Sequence, residues 1–417
     1  MALSGFNSYL KVYQDEKMVD SAYEATLKCA PFWTMLQKEK KATLGDSVRV
    51  PLKYQHGAGV GGSSFTTRQL EAQASATQLH SVQWQISGVE FNGVIQYNTL
   101  DQLRSSQEAW TEAKKFVDLG ARRSLTWFMA NQMFKKNSNY GALCTISAGS
   151  AGTFTCTSPG DAKIFSVGMR LDACATPGSG SLRAKTGTPT VLTVNTRTGV
   201  VTHSGTFTSI TAGDSIGLEG ELSTASTTYF GLHSAAAYCP DADPSDTFLN
   251  VARSVDPIKL GGVRVPSFSG TIAEGLIAGN YAMLAQGMFP DVAFVSPAAF
   301  ARLMRTKDGV RTVSVRTDED KSGYSVGFQG AELQGLGFGI PVFPDFTIPD
   351  LSSTTTTIWL ANTEFLRLYY GGDELFNVTV EEQGASAAAA MERRLQSYAQ
   401  FACLNPAALC RVDGATI

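Results

Sequence analysis

Residues 98–137 carry a helical pattern long enough to govern how the rest of the chain can pack. Leu103, Trp110, Ala113, Val117 and Trp127 lie close to helical spacing, with Lys, Glu and Arg between them. Thr99 with Gln102 forms a capping-box pattern at the start. At 1.5 Å per residue, a helix of roughly 37 residues spans about 55 Å. That is much longer than an average helix and would cross a whole domain. Gly120 sits mid-run, where glycine costs about 1 kcal/mol against alanine, and marks a kink or a close contact.

The segments before this helix divide in two. Residues 1–43 are charged and periodic, and Met18, Ala22, Ala25 and Cys29 predict a short amphipathic helix. Pro31 is expected to end or kink it, leaving Phe32 and Trp33 as an apolar patch before a Lys-rich run. The patch fits a domain's first helix or an arm that docks on a neighbour. In 44–97, Val48, Val50 and Leu52 alternate with Arg49, Pro51 and Lys53, as in a half-buried strand, and Pro51 argues for an edge. GAGVGGSS at 57–64 breaks regular structure, and a second alternating run fills 82–97. Two strands framing a Gly/Ser tip predict a long extended hairpin.

After the helix the character changes abruptly. Residues 138–226 are rich in Ser and Thr, and their only aromatics are Tyr140, Phe154, Phe165 and Phe207. Short β-type runs alternate with Gly-containing turns, and 193–205 read as a hairpin around Arg197–Gly199. A small all-β module inserted in the chain is expected. Residues 227–417 are mixed. Ile272, Leu276, Ile277, Tyr281, Leu284 and Met288 predict a helix stripe, and 290–295 a buried strand. Ser296-Pro297 suits an N-cap and first helical residue for a helix through Met304. Residues 337–349 read as a strand with turns and 356–371 as a strand pair. LFNVTVEE and ERRLQSYAQFACL read as long strands.

Composition narrows the function. Of 417 residues, 43% are hydrophobic and only 17% charged, so a disordered chain is excluded. The 34 Lys+Arg and 37 Asp+Glu give a formal net charge of -3, without the positive excess of a nucleic-acid reader. No apolar run approaches the length of a membrane span, and MALSGFNSYLKVYQDEK has neither the basic nor the apolar region of a secretory signal. The seven cysteines, at 29, 144, 156, 174, 239, 403 and 410, have no C-x-x-C spacing. Reduced, mostly buried thiols are expected, and no zinc site.

Chemical motifs occur only as literal matches. Gly57-x-Gly59-x-x-Gly62 lacks the following helix and the later acidic residue of a dinucleotide site. Gly323-x-Ser325-x-Gly327 resembles a nucleophile elbow, but His56, His80, His203 and His233 all precede Ser325, whereas such hydrolases place histidine after the serine. Glu381–Glu382 and Asp318–Glu319–Asp320 read as solvated turn residues. No catalytic, cofactor or metal residue is assigned, and a structural role is favoured.

The order of parts resembles the major capsid proteins of tailed double-stranded DNA bacteriophages, the HK97-like fold. Residues 98–129 resemble that family's spine helix, and GMFPDVAFVSPAAFARL at 287–303 its axial domain. GFGIPVFPDFTIPD at 337–350 and FACLNPAALCRVDG at 401–414 resemble its closing section. The resemblance implies an α+β chain. Its parts would be an N-terminal arm (1–43), an extended hairpin or E-loop (44–97), a spine helix of the peripheral domain (98–137) and an inserted β-rich domain (138–226). A peripheral continuation (227–265), an axial domain (266–372) and a peripheral return strand with the C-terminus (373–417) would follow. It implies no enzyme and no cofactor. Hexamers and pentamers would form an icosahedral shell around double-stranded DNA bound without sequence specificity. A separate scaffolding protein, a portal and accessory or decoration proteins would be partners. The subunit would assemble in the host cytoplasm, end in the virion and touch no membrane. Arg49, Lys53 and Arg68, basic residues on the expected arm, are the candidate intersubunit contacts. The rivals are an encapsulin-like cargo shell, an adhesive or carbohydrate-binding β-protein suggested by 138–226, and, more weakly, a hydrolase.

Overall fold

The computed structural model describes residues 30–40, 47–53, 79–85, 87–96, 122, 125–134, 141–177, 180–222, 232–249, 251–305, 331–335, 338–350, 354–371, 375–383 and 390–417. These residues are organised around three main apolar cores. Of the long helix, residues 122 and 125–132 are described, and a turn follows at 133–134. The glycine-rich matches at 57–62 and 323–327 and the residue Gly120 lie outside the described residues.

A six-stranded sheet separates two of the cores. Its order is Val263–Val265, Leu409–Thr416, Thr355–Ala361, Val292–Val295, Phe338–Pro344, Ala331–Gly335. Successive side chains on a strand face opposite ways, so Val292–Val295, Thr355–Ala361 and Leu409–Thr416 serve both cores. Ala293, Val295, Val342, Ile358, Leu360, Cys410 and Val412 face two helices, Ile272–Ala285 and Pro297–Arg305. Val292, Phe294, Trp359, Ala361 and Leu409 face the central core. This double burial explains why VAFV is continuously apolar instead of alternating. Ser296 caps the second helix as expected, accepting from the Ala299 N–H at 3.2 Å.

The first helix corrects the expected stripe. Its capping box, Thr271 with Glu274, fixes its start. Its buried face is Ile272, Gly275, Leu276, Gly279, Asn280 and Met283, while Ile277 and Tyr281 are exposed. Pattern reading favoured large apolar residues and passed over the glycines. These glycines bring the helix down onto the sheet: a Cβ at Gly279 would sit 2.5 Å from Leu360 Cδ1 and 3.0 Å from Val412 Cγ2. Both neighbours are fully buried and have nowhere to move. Gly279→Val is therefore expected to cost about 1–3 kcal/mol through overpacking, measured as a lower denaturant midpoint.

The central core is closed by a second sheet. Ala390–Cys403 pairs with Leu366–Gly371 and then Asn377–Gln383 along one edge, and with Ser87–Gln96 along the other. Gln37–Lys40 adds in parallel to Leu366–Gly371. Two expectations need refinement here. Residues 82–97 are not one strand: Leu79–Gln85 pairs with Ser47–Lys53, whereas Ser87–Gln96 joins the central sheet. The strands within 356–371 are both present but do not pair, because the chain passes from one sheet to the other through a turn at Thr363–Phe365.

Pro31 opens a helix, Pro31–Met35, as the first helical residue. Phe32 and Trp33 are buried in this chain's own core, so these two residues are not an apolar patch left for a neighbour. The Phe32 ring lies 4.6 Å from Phe134, 5.3 Å from Phe294 and 5.9 Å from Phe401, centroid to centroid.

Residues 142–218 form a sheet of their own, ordered Leu171–Cys174, Ser215–Leu218, Ala142–Gly149, Thr153–Cys156, Val200–His203, Val191–Asn195. The two outer strands meet through the residues that precede them. The Leu171 N–H donates to Pro189 O at 2.9 Å, Gly168 N–H to Val191 O at 2.9 Å and Val191 N–H to Met169 O at 2.8 Å. The sheet therefore closes into a small barrel, which removes its open edges. Phe154, Phe165, Phe207, Leu143, Ile146 and Ile216 fill it. The hairpin expected around Arg197–Gly199 is present, with Asn195 Oδ1 accepting from the N–H groups of Arg197 and Thr198 and Gly199 at φ 74°. Leu125 and Phe128 of the helix join the barrel core, while Met129, Met133 and Phe134 join the central core. One helix segment thus forms a wall of both.

Candidate functional site

The buried ionisable groups of the described residues are committed to internal structure. Asp345 is fully buried; its carboxylate accepts from the Phe32 N–H at 3.0 Å and from the Thr347 N–H and hydroxyl at 2.9 and 2.6 Å. Burial pushes its carboxyl above the usual range, against the pull of these donors. Arg253 donates to both oxygens of Asp246 and to Ala237 O, and stacks on Phe248. In the barrel, Arg183 is bidentate on Asp214, and Lys185 reaches Asp172 and Glu219. Burial opposes ionisation of Asp214, yet the bonds from Arg183 and Thr211 hold its carboxyl below the ordinary value.

Of the residues that resemble a hydrolase's, Ser325 and His56 lie outside the described residues. His203 is packed between the rings of Phe154 and Phe207 in the barrel, and His233 beside Tyr238 and Phe248 at the central core. The six described cysteines are buried. Burial raises the Cys174 thiol to about 11 and the Cys239 thiol to about 12, far from a reactive thiolate. Cys144 and Cys156 touch at 3.6 Å between sulfurs, and burial also pushes Cys144 well up. We expect all six to stay unlabelled by an alkylating reagent in the native protein and to label on denaturation, as peptide mapping would resolve. Among the described residues no group of three His, Cys, Asp or Glu side chains could hold a metal ion, and no helix is long and apolar enough to cross a membrane.

What the fold offers instead is surface. Arg49 and Lys53 lie on Ser47–Lys53, opposite Gln83 and Leu79 in the two-stranded ladder. Arg68 lies outside the described residues. Sequence reading missed the outward face of Ile272–Ala285, where Ile277 and Tyr281 are 43% and 54% exposed. The signal was there: that helix has apolar residues on every side, whereas a solvent-facing helix carries polar residues on one.

No family model matches the sequence, and no curated protein does. Solved structures match over nearly the whole chain. The cyanophage A-1(L) capsid asymmetric unit matches with a TM-score of 0.50 at 11% identity, covering 96% of this chain and 97% of that one. The capsid of a native GTA particle gives 0.48 at 10% identity, over 96% and 94%. The holo-SrpI encapsulin complex from Synechococcus elongatus PCC 7942 gives 0.40 at 9% identity, over 98% and 95%. At such identities a likeness speaks for fold alone. The cyanophage match extends end to end, so this chain has a phage-capsid fold of mixed α and β structure. This is the class, HK97-like, that the order of its segments resembles.

Proposed function

We propose that this chain is the shell subunit of a tailed-phage head, assembling through hexamers and pentamers around packaged double-stranded DNA. The observation that carries the reading is the end-to-end fold match with a cyanophage capsid, 96% of this chain on 97% of that one. The near-balanced charge, -3 overall, agrees with it, because a strongly basic inner wall would hold packaged DNA too tightly. A scaffolding protein and a portal would be separate partners, with assembly in the host cytoplasm and residence in the virion. The paired strands 47–53 and 79–85 would be the base of an extended arm lying across a neighbour. Arg49, Lys53 and Arg68 would make polar contacts there, and joint charge reversal of the three should abolish shell formation while leaving the subunit folded.

Residues 138–226 would be a domain inserted into this fold. Support comes from where the barrel begins and ends: a Cβ on Gly141 would lie 1.9 Å from Glu221 O, so the chain enters and leaves at one point. Adjacent ends let a domain be inserted without disturbing its host. Replacing 142–220 by a short Gly/Ser linker is expected to leave the body folded, with a stability loss from the uncovering of Leu125 and Phe128. Failure of the body to fold, with Leu125 and Phe128 also made polar, would contradict insertion.

An encapsulin-like cargo shell is the alternative. Nucleic acid extracted from purified, nuclease-treated particles supports the phage head; particles holding protein cargo and no DNA support the alternative.

A further inference from the structure

We propose that the barrel latches residues 31–40 to the body through the turn 345–349, so that loosening the barrel's grip on this turn releases that segment. The inference goes beyond the shell reading, since it concerns one chain and stands whether or not copies assemble.

The segment does not hold itself. Its helix, Pro31–Met35, has five residues, against the ~12–15 that a helix needs to persist alone in water. Ala30 gives its start no side-chain cap. Phe32 buries its ring and its N–H together, and a buried N–H must find an acceptor. That acceptor is Asp345 Oδ2, at 3.0 Å. Gln37–Lys40 follows as a short strand at the edge of its sheet, paired with Leu366–Gly371. Where Asp345 sits therefore decides whether the start of the segment is capped.

The barrel grips the turn that carries Asp345 at two points. Lys163 Nζ donates to the carbonyl of Phe346, the next residue, at 3.0 Å. Gly160 lies against Pro349 at the far end of the turn, where a Cβ on the glycine would be 3.5 Å from Pro349 Cα. Both grips come from one short helix, Pro159–Ile164, whose Ala162 and Ile164 are set in the barrel core. Burial pushes the Asp345 carboxyl up, and the Lys163 charge pulls the other way, towards the anion that suits a helix start. The position and the charge of the cap thus both depend on the barrel.

The turn has rival holds on the body. The Asp345 N–H donates to Val295 O at 2.8 Å, and Ile348 is buried in the central core. These keep the turn in place when the barrel lets go, so the expected effect is a local opening of residues 31–40 and not unfolding. The barrel also stays attached, because Leu125 and Phe128 of the helix reach its core.

The test is amide hydrogen exchange on the full-length subunit. Lys163→Met keeps the aliphatic stem and loses the donor and the charge. It is expected to speed exchange of the Phe32 amide and of the Thr34–Lys40 peptide about ten-fold, the scale of a local opening. Amides of Ser215–Leu218 in the barrel and Leu409–Thr416 in the six-stranded sheet should be unchanged. Lys163→Arg, which can donate to the same carbonyl, is expected to restore the protection. Arg183→Met, which breaks the pair with Asp214 elsewhere in the barrel, is expected to leave residues 31–40 as protected as in the parent. A second readout is a denaturation cycle of Lys163→Met with Asp345→Asn, expected to be non-additive because both changes act on one cap. If Lys163→Met loosens the barrel itself, the cycle decides. Unchanged exchange at Phe32 with the barrel folded, equal speeding by Arg183→Met, or strict additivity in the cycle would overturn the latch.

Discussion

Phe32→Ala is expected to destabilise the chain by about 3–5 kcal/mol, the range for emptying a buried aromatic site. Phe32 is 2% exposed, and its ring meets Phe134 after the long helix, Phe294 in the six-stranded sheet and Phe401 in the central sheet. It therefore joins four distant parts of the sequence at one point. The cavity left by alanine is walled by elements already fixed by their own sheets, so it closes poorly. Tyr238 extends the cluster, 5.5 Å from Phe401 between centroids, and its hydroxyl donates to Phe401 O at 2.8 Å. Chemical denaturation measures the loss directly. A change under about 1 kcal/mol, less than most core truncations, would mean that residues 30–40 are an appendage and not a wall of the core.

Asp345→Ala is expected to cost about 2–4 kcal/mol by the same measurement, since it strands buried donors at 1–3 kcal/mol each. The helix Pro31–Met35 starts after Ala30, which has no side chain to cap it. The cap comes instead from Asp345, 313 residues away, which also holds Thr347. The effect has a defined pH dependence. Burial raises the folded carboxyl's pKa, so the folded chain binds this proton more tightly than the unfolded one. Wild-type stability from this group then falls as pH rises from the ordinary carboxylate range, about 3.9, through the folded value. The alanine variant lacks that titration, so the gap between the two proteins should widen as pH is lowered from 7 towards 4. Phe32 and Asp345 serve the same helix, and their double substitution should cost less than the sum of the singles.

Much of the fold could be read from periodicity, and the failures share a cause. VAFV, Ser296-Pro297 and the Arg197–Gly199 turn carry their structure locally, in apolar runs and cap or turn residues. Phe32 and Trp33 misled because Pro31 starts a helix of its own, which folds both rings into this chain's core. Ile277 and Tyr281 misled because a stripe drawn through the largest side chains ignores Gly275 and Gly279, whose part is to let two backbones approach. The division of 356–371 between two sheets depends on partners far downstream, Tyr398 to Cys403 for one strand and Leu409–Thr416 for the other. Nothing in the local pattern names them. The contact candidates Arg49 and Lys53 were found by charge on a strand, whereas the exposed Ile277 and Tyr281 were hidden in a pattern that looked like core.

The most direct measurement is particle size. The purified chain, expressed alone and with a candidate scaffolding protein, would be sized by light scattering and imaged by electron microscopy. Closed icosahedral shells, or rings of five or six subunits, are the result expected of a capsid subunit. A monodisperse monomer in both preparations, folded by its thermal transition, would contradict the account.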